Sequence, residues 1–138
     1  MKISPRVRLL LFAGLLALWT VGLLVPDPGR SVVKDVGSAK LAFLISKTAH
    51  VGVYAVIAFV GGFAVTTRAG AWGILLLLSA HAAASEALQP LVGRGGSVRD
   101  VGLDHLGIAL GVAANWKRWR KLFDRSRVRE NPGDLPNG

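Results

Sequence analysis

Between Lys47 and Arg68 the chain reads KTAHVGVYAVIAFVGGFAVTTR. Inside the two bracketing cations this stretch holds one histidine, His50, and no acidic or basic residue besides it. Thr48 to Thr67 matches the roughly 20 apolar residues that cross a bilayer as a helix. Two further blocks lie on either side: Leu9 to Val25 without any charge, and Ala69 to Ser85 with one histidine, His81. Over the whole chain of 138 residues, 51% are hydrophobic and 18% charged, and the mean hydropathy is +0.46. A soluble domain carries about a quarter charged residues, so a conventional soluble enzyme core is excluded as the first reading. The absence of cysteine excludes disulfides, thiolate nucleophiles, iron–sulfur clusters and sulfur-based zinc sites.

The basic leader Lys2, Arg6 and Arg8 runs into Leu9–Val25 as in a signal peptide, but no small-x-small cleavage site follows, so the block is expected to be an uncleaved first transmembrane helix. Pro26-Asp27-Pro28-Gly29 ends it with turn chemistry. Residues 26–46 form the longest connection, with a short helix expected through Lys40 to Ser46. The second span begins near Lys47 and ends before Arg68; a tight turn leads to a third, about Ala71 to Gln89, closed by Pro90. After Gly93-Arg94-Gly95-Gly96 comes a fourth, Val98 to Trp116, whose Asp100 and Asp104 must lie in the membrane's outer zone or be buried against partners. The expected fold is all-α, an integral membrane bundle of four transmembrane helices, antiparallel up-down, over residues 1–116. Residues 117–138 read as a basic amphipathic tail passing into disorder.

The net charge of +9 would suggest nucleic acid in a soluble chain, but its distribution follows the positive-inside rule. The two termini and Arg68 carry 11 Lys and Arg residues on one side, against 6 in the first and last loops. Both termini are therefore expected to be cytoplasmic, with the surplus charge facing anionic lipids and no nucleic-acid partner. In the tail, Trp116, Trp119 and Phe123 share one helical stripe among basic residues, the pattern of an interfacial anchor. Trp19 and Trp72, near span ends, read the same way.

Ionisable residues at the centre of a span are unfavourable by about 2.5–3.5 kcal/mol each, so the positions of those within or beside spans are informative. Lys47, His50, Tyr54, Ala58 and Gly61 make one helical stripe; Ser79, Ala82, Glu86 and Gln89 make a second; Asp100, Asp104, Gly107 and Gly111 make a third. Each stripe has polar groups at one end and small residues at the other, which suits close helix packing. With antiparallel spans the polar ends meet at the extracytoplasmic level. Lys47, His50, Glu86, Gln89, Arg94 and Asp100 are thus expected in one ligand-binding cluster, with Asp104 at its lower edge.

These residues in their order, Ser46-Lys47-Thr48-Ala49-His50 with Tyr54, then Ser85-Glu86-Ala87-Leu88-Gln89, then Arg94, Ser97, Asp100, Asp104 and Gly107, resemble the VanZ-like family across residues 9–115. The chain departs from the family in carrying Asp104 where Asn is common. The resemblance implies a small membrane protein of the bacterial cell envelope, in a family whose namesake is linked to teicoplanin resistance.

Three readings of the cluster stand. The structural one pairs Lys47 or Arg94 with Glu86, Asp100 or Asp104 to fix helix register. The binding one makes a pocket for a lipid-linked or phosphorylated headgroup, with membrane lipids as partners. The enzymatic one uses His50 as general base, Glu86 or Asp100 as orienter or acid, and Lys47 and Arg94 as phosphate clamps, though Ser85 and Ser97 sit in no hydrolase motif. His50 with Glu86, Asp100 or Asp104 is chemically fit for a divalent ion, but the spacing demands no metal and no cofactor. His81 and His105 fall off the polar stripes; His81 reads as a hydrogen-bonded packing residue. Gly61-Gly62 and Gly107-x-x-x-Gly111 read as helix contacts.

Overall fold

Each of the four long helices is opened by a hydroxyl residue that caps it. Ser4 accepts from Val7 N, Ser38 from Leu41 N, Thr67 from Gly70 N and Ser97 from Arg99 N, satisfying donors that a helix start otherwise leaves unpaired. The resulting elements are α1 (Pro5–Leu24), α2 (Ala39–Ala64), α3 (Arg68–Leu88), a 3-10 turn (Gln89–Val92), α4 (Val98–Ala114) and α5 (Trp116–Asp124). The structure, a computed structural model, describes residues 3–25 and 38–124, and among these no strand occurs. The turn at Pro26–Gly29 and the polar segment beyond Ser126 lie outside the described residues.

Three helices are long and apolar enough to cross a membrane, with mean hydropathies of 2.1 for Pro5–Leu24, 1.7 for Lys40–Ala64 and 1.4 for Arg68–Val92. This is compatible with a multi-pass membrane protein. One boundary differs from expectation: the short helix expected before Lys47 is the first two turns of α2, which runs unbroken for 26 residues. With no proline or glycine from Ser38 to His50, nothing interrupts the helical hydrogen bonds there. At 17 residues, α4 is about 26 Å long, less than the ~30 Å of a hydrocarbon core.

The packing is inverted relative to a water-soluble bundle. Leu10, Leu18, Val21, Phe43, Val56 and Leu76 are exposed, whereas His50, Ser85, Glu86, Gln89, Asp100 and Asp104 are buried. Exposed leucine outside and polar groups inside is the arrangement that lipid favours. The helices run antiparallel in sequence, with α2 touching α1, α3, α4 and α5. The most intimate crossing is α2 against α4, and its cause is the pair Gly107 and Gly111. A Cβ on Gly107 would overlap the Val51 carbonyl oxygen, and one on Gly111 the Ala55 carbonyl oxygen. Only hydrogen at these two positions lets the backbones meet.

At the opposite end from the polar groups, α5 folds under the bundle. Trp119 is fully buried against Gly62, and Leu122 is buried beside it. Arg118 donates from Nε to the Gly62 carbonyl and from Nη2 to that of Val65, capping the C-terminus of α2, which has no basic residue in its own last turn. This corrects the expected anchor stripe: Trp116 is exposed, Trp119 is core, and Phe123 stacks on Trp119 and meets Trp72 edge-on. The physical reason is the slot over Gly62, which takes one indole and turns the other outward.

Candidate functional site

The third turn of α2 and the first turns of α4 face each other across the contact that Gly107 permits. Lys47 Nζ donates to both oxygens of Asp100 at 2.6 Å, and one turn deeper His50 Nδ1 lies 2.8 Å from Asp104 Oδ1. Asp100 also sits in the first turn of α4, where the helix dipole favours an acid. From α3, Glu86 comes up to the same level: its Oε1 is 3.8 Å from His50 Nδ1 and accepts from Gln89 Nε2 at 2.8 Å. Its Oε2 accepts from the backbone N–H of Ser97 at 2.9 Å, so the carboxylate ties the end of α3 to the start of α4.

The glycine-rich loop serves that tie. Gly93 adopts φ 74, the left-handed conformation that closes the 3-10 turn. Gly96 lies so near the Glu86 carbonyl that a Cβ would overlap it. Arg94 between them reaches across to α1. Its Nη1 donates to the carbonyls of Gly22 and Leu23 at 3.1 and 2.8 Å, capping the C-terminus of α1 rather than pairing with an acid. Helix C-termini leave carbonyls unpaired and favour cations, which accounts for the choice.

Of the seven residues that the sequence nominates, Lys47 and Asp100 form one pair, and His50, Glu86, Gln89 and Asp104 form a second group beneath it. Asp104 is fully buried beneath the Lys47–Asp100 pair, and among the described residues its Oδ2 has no hydrogen-bond partner. Arg94 stands at the same end of the bundle and lines the cavity described next. A ligand atom from each of His50, Glu86 and Asp104 falls within 4.8 Å of the others, close enough to hold one metal ion.

Above the group opens a cavity of about 430 Å³, lined by Lys47, His50, Gln89, Arg94, Asp100 and, from α1, Trp19. Beside it, between α1 and α2, runs a groove of about 460 Å³ lined by Leu15, Leu18, Gly52, Val53 and Val56, again with Trp19. Ala49 and Trp19 border both spaces. Trp19, expected only as an anchor, stands nearly perpendicular to the rings of His50 and Tyr54, with centroids 5.6 and 6.3 Å away. No spacing signal marks it, because its neighbours come from a different helix.

Tyr54, the next residue down the α2 stripe, is 2.8 Å from His81 Nδ1, and His81 Nε2 is 2.8 Å from Thr20 Oγ1. Thr20 gives its own proton to the Leu16 carbonyl, so the chain closes if His81 donates from Nε2 and accepts the tyrosine proton at Nδ1. His81 is thus a hydrogen-bonded packing residue joining α1, α2 and α3. His105 is exposed and bonds the Val101 carbonyl of its own helix.

No family model, curated protein or solved structure matches this chain. Fold and site define its class: an all-helical bundle, with three helices of membrane-crossing length and composition, that encloses acidic, basic and imidazole groups at one end.

Proposed function

We propose that the protein is a four-span bacterial cytoplasmic-membrane protein, akin to the VanZ-like family, whose extracytoplasmic pocket takes the headgroup of a lipid-linked or phosphorylated envelope amphiphile. The observation that carries the reading is the shared wall of Trp19 and Ala49 between a charged cavity and an apolar groove. An amphiphile needs such a pair of adjoining spaces, one polar and one apolar. A headgroup would meet Lys47, the Gln89 amide and those Arg94 N–H groups not engaged by α1, while an acyl or prenyl chain would lie along Leu15, Leu18 and Val56. The fourth span in this topology is α4, its acids enclosed by α2 and α3, and the 11 to 6 split of basic residues supports cytoplasmic termini. Sequestering or presenting an envelope precursor is the route by which such a protein would alter susceptibility to teicoplanin-like compounds.

A second reading, acid–base catalysis on the same headgroup, is favoured by one feature: His50 both lines the cavity and is oriented by a buried carboxylate, as a general base is.

Mass spectrometry of lipids co-purifying with the wild type, Glu86→Ala and Ala49→Phe tests the pocket. A lipid enriched on the wild type and lost from both variants is expected. The same lipid profile on all three folded proteins would leave the cluster a purely structural one, and a chemically altered lipid made only by the wild type would favour the enzyme.

A further inference from the structure

We infer that His50, Glu86 and Asp104 form a binding site for a first-row divalent cation, Zn2+ or Mn2+. The inference does not depend on what the cavity above them accepts.

Charge balance is the first argument. Two carboxylates, both buried, share a space with one imidazole, and a ligand atom of each lies within 4.8 Å of the others. The ammonium one turn above, Lys47, is 2.6 Å from both oxygens of Asp100, so its charge is balanced there by that carboxylate. Buried carboxylates without a countercharge are strongly disfavoured, and a divalent ion supplies it at one point. The second argument is independent of the cluster's own hydrogen bonds: Asp104 is fully buried, yet among the described residues its Oδ2 has no partner, although buried polar oxygens are nearly always satisfied. A coordinating cation satisfies such an oxygen where no donor is present.

Distances agree with coordination. Two ligand atoms each ~2.1 Å from a metal lie roughly 3.0–3.4 Å apart for octahedral to tetrahedral angles. His50 Nδ1 is 2.8 Å from Asp104 Oδ1 and 3.8 Å from Glu86 Oε1, so a shift of a few tenths of an ångström brings each of these two pairs into range, and the Glu86 and Asp104 ligand atoms lie within 4.8 Å of each other. One imidazole nitrogen with carboxylate oxygens suits zinc or manganese better than an all-oxygen ion such as Mg2+ or Ca2+. Gln89, bonded to Glu86 Oε1, and Ser97 N–H, bonded to Oε2, orient the carboxylate as outer partners of metal ligands do. The three ligands come from three helices, α2, α3 and α4, which is why linear spacing gives no metal motif.

The test uses the full-length protein in detergent, stripped with a chelator and titrated by calorimetry with ZnCl2 and separately with MnCl2. One ion per chain is expected, with affinity reduced about ten-fold or more in Asp104→Asn and in Glu86→Gln. Since both variants alter the buried core, the wild-type manganese complex is also read by electron spin-echo envelope modulation. Coupling to a single imidazole nitrogen is expected, retained in His81→Gln and His105→Gln and absent in His50→Gln. Wild-type protein that binds neither ion, binding unchanged in folded Asp104→Asn, or bound manganese without nitrogen coupling would each overturn the site.

Discussion

His50 Nδ1 and Asp104 Oδ1 stand 2.8 Å apart on two helices whose backbones meet at Gly107, and both side chains are buried. The hydrogen bond therefore locks α2 to α4 as well as aiming the imidazole. Replacing Asp104 by Leu strands His50 without its acceptor and is expected to destabilise the protein by about 1–3 kcal/mol, while Asn, which keeps an acceptor oxygen, loses less. Thermal unfolding in detergent separates the two; equal losses would mean that the carboxylate serves packing volume alone.

Gly107→Val and Gly111→Val are expected to be destabilising by about 1–3 kcal/mol or more, because each new side chain meets a carbonyl of α2. Gly102→Ala is the internal control. It lies in the same helix with nothing within 4 Å of a new Cβ, and replacing a helical glycine there should gain up to ~1 kcal/mol. Comparable losses at all three positions would contradict the α2–α4 crossing.

Trp119→Ala is expected to lower stability by about 3–5 kcal/mol, as for a buried indole, and Trp116→Ala by little. A reversed order in thermal unfolding would restore Trp116 and Trp119 to the interfacial role that their spacing suggests.

Because the chain has no native cysteine, topology is directly readable by single-cysteine labelling in intact cells. Gly37→Cys should react with an impermeant maleimide, and Asp134→Cys only after the membrane is breached. The opposite pattern would invert the proposed orientation.

The α2 and α4 stripes were legible in sequence for one reason: a buried acid or imidazole restricts which helix face can turn inward, so Lys47, His50, Tyr54, Asp100 and Asp104 announce their own orientation. Depth was less legible. Asp104 and Asp100 look alike in spacing, and only the close approach at Gly107 sets one against His50 and the other against Lys47. The backbone partners of Arg94 and Trp119 carry no signal in sequence, because each answers to a distant segment. Arg94 satisfies the end of α1, some seventy residues earlier, and Trp119 fills the slot over Gly62. Trp19 carried no signal, since its meaning comes from the cavity and groove it divides.

Ser46 lines the cavity and is half-buried, so Ser46→Cys places one thiol inside the proposed headgroup site of an otherwise cysteine-free chain. The decisive measurement is the rate at which this thiol reacts with a maleimide in lipid-free, detergent-purified protein, before and after addition of a polyprenyl phosphate or of the matching uncharged polyprenol. The account predicts slowing of about ten-fold or more by the phosphate, and much less by the alcohol, because the headgroup occupies the cavity. Equal rates with phosphate, alcohol and no lipid would contradict a headgroup pocket at this end of the bundle.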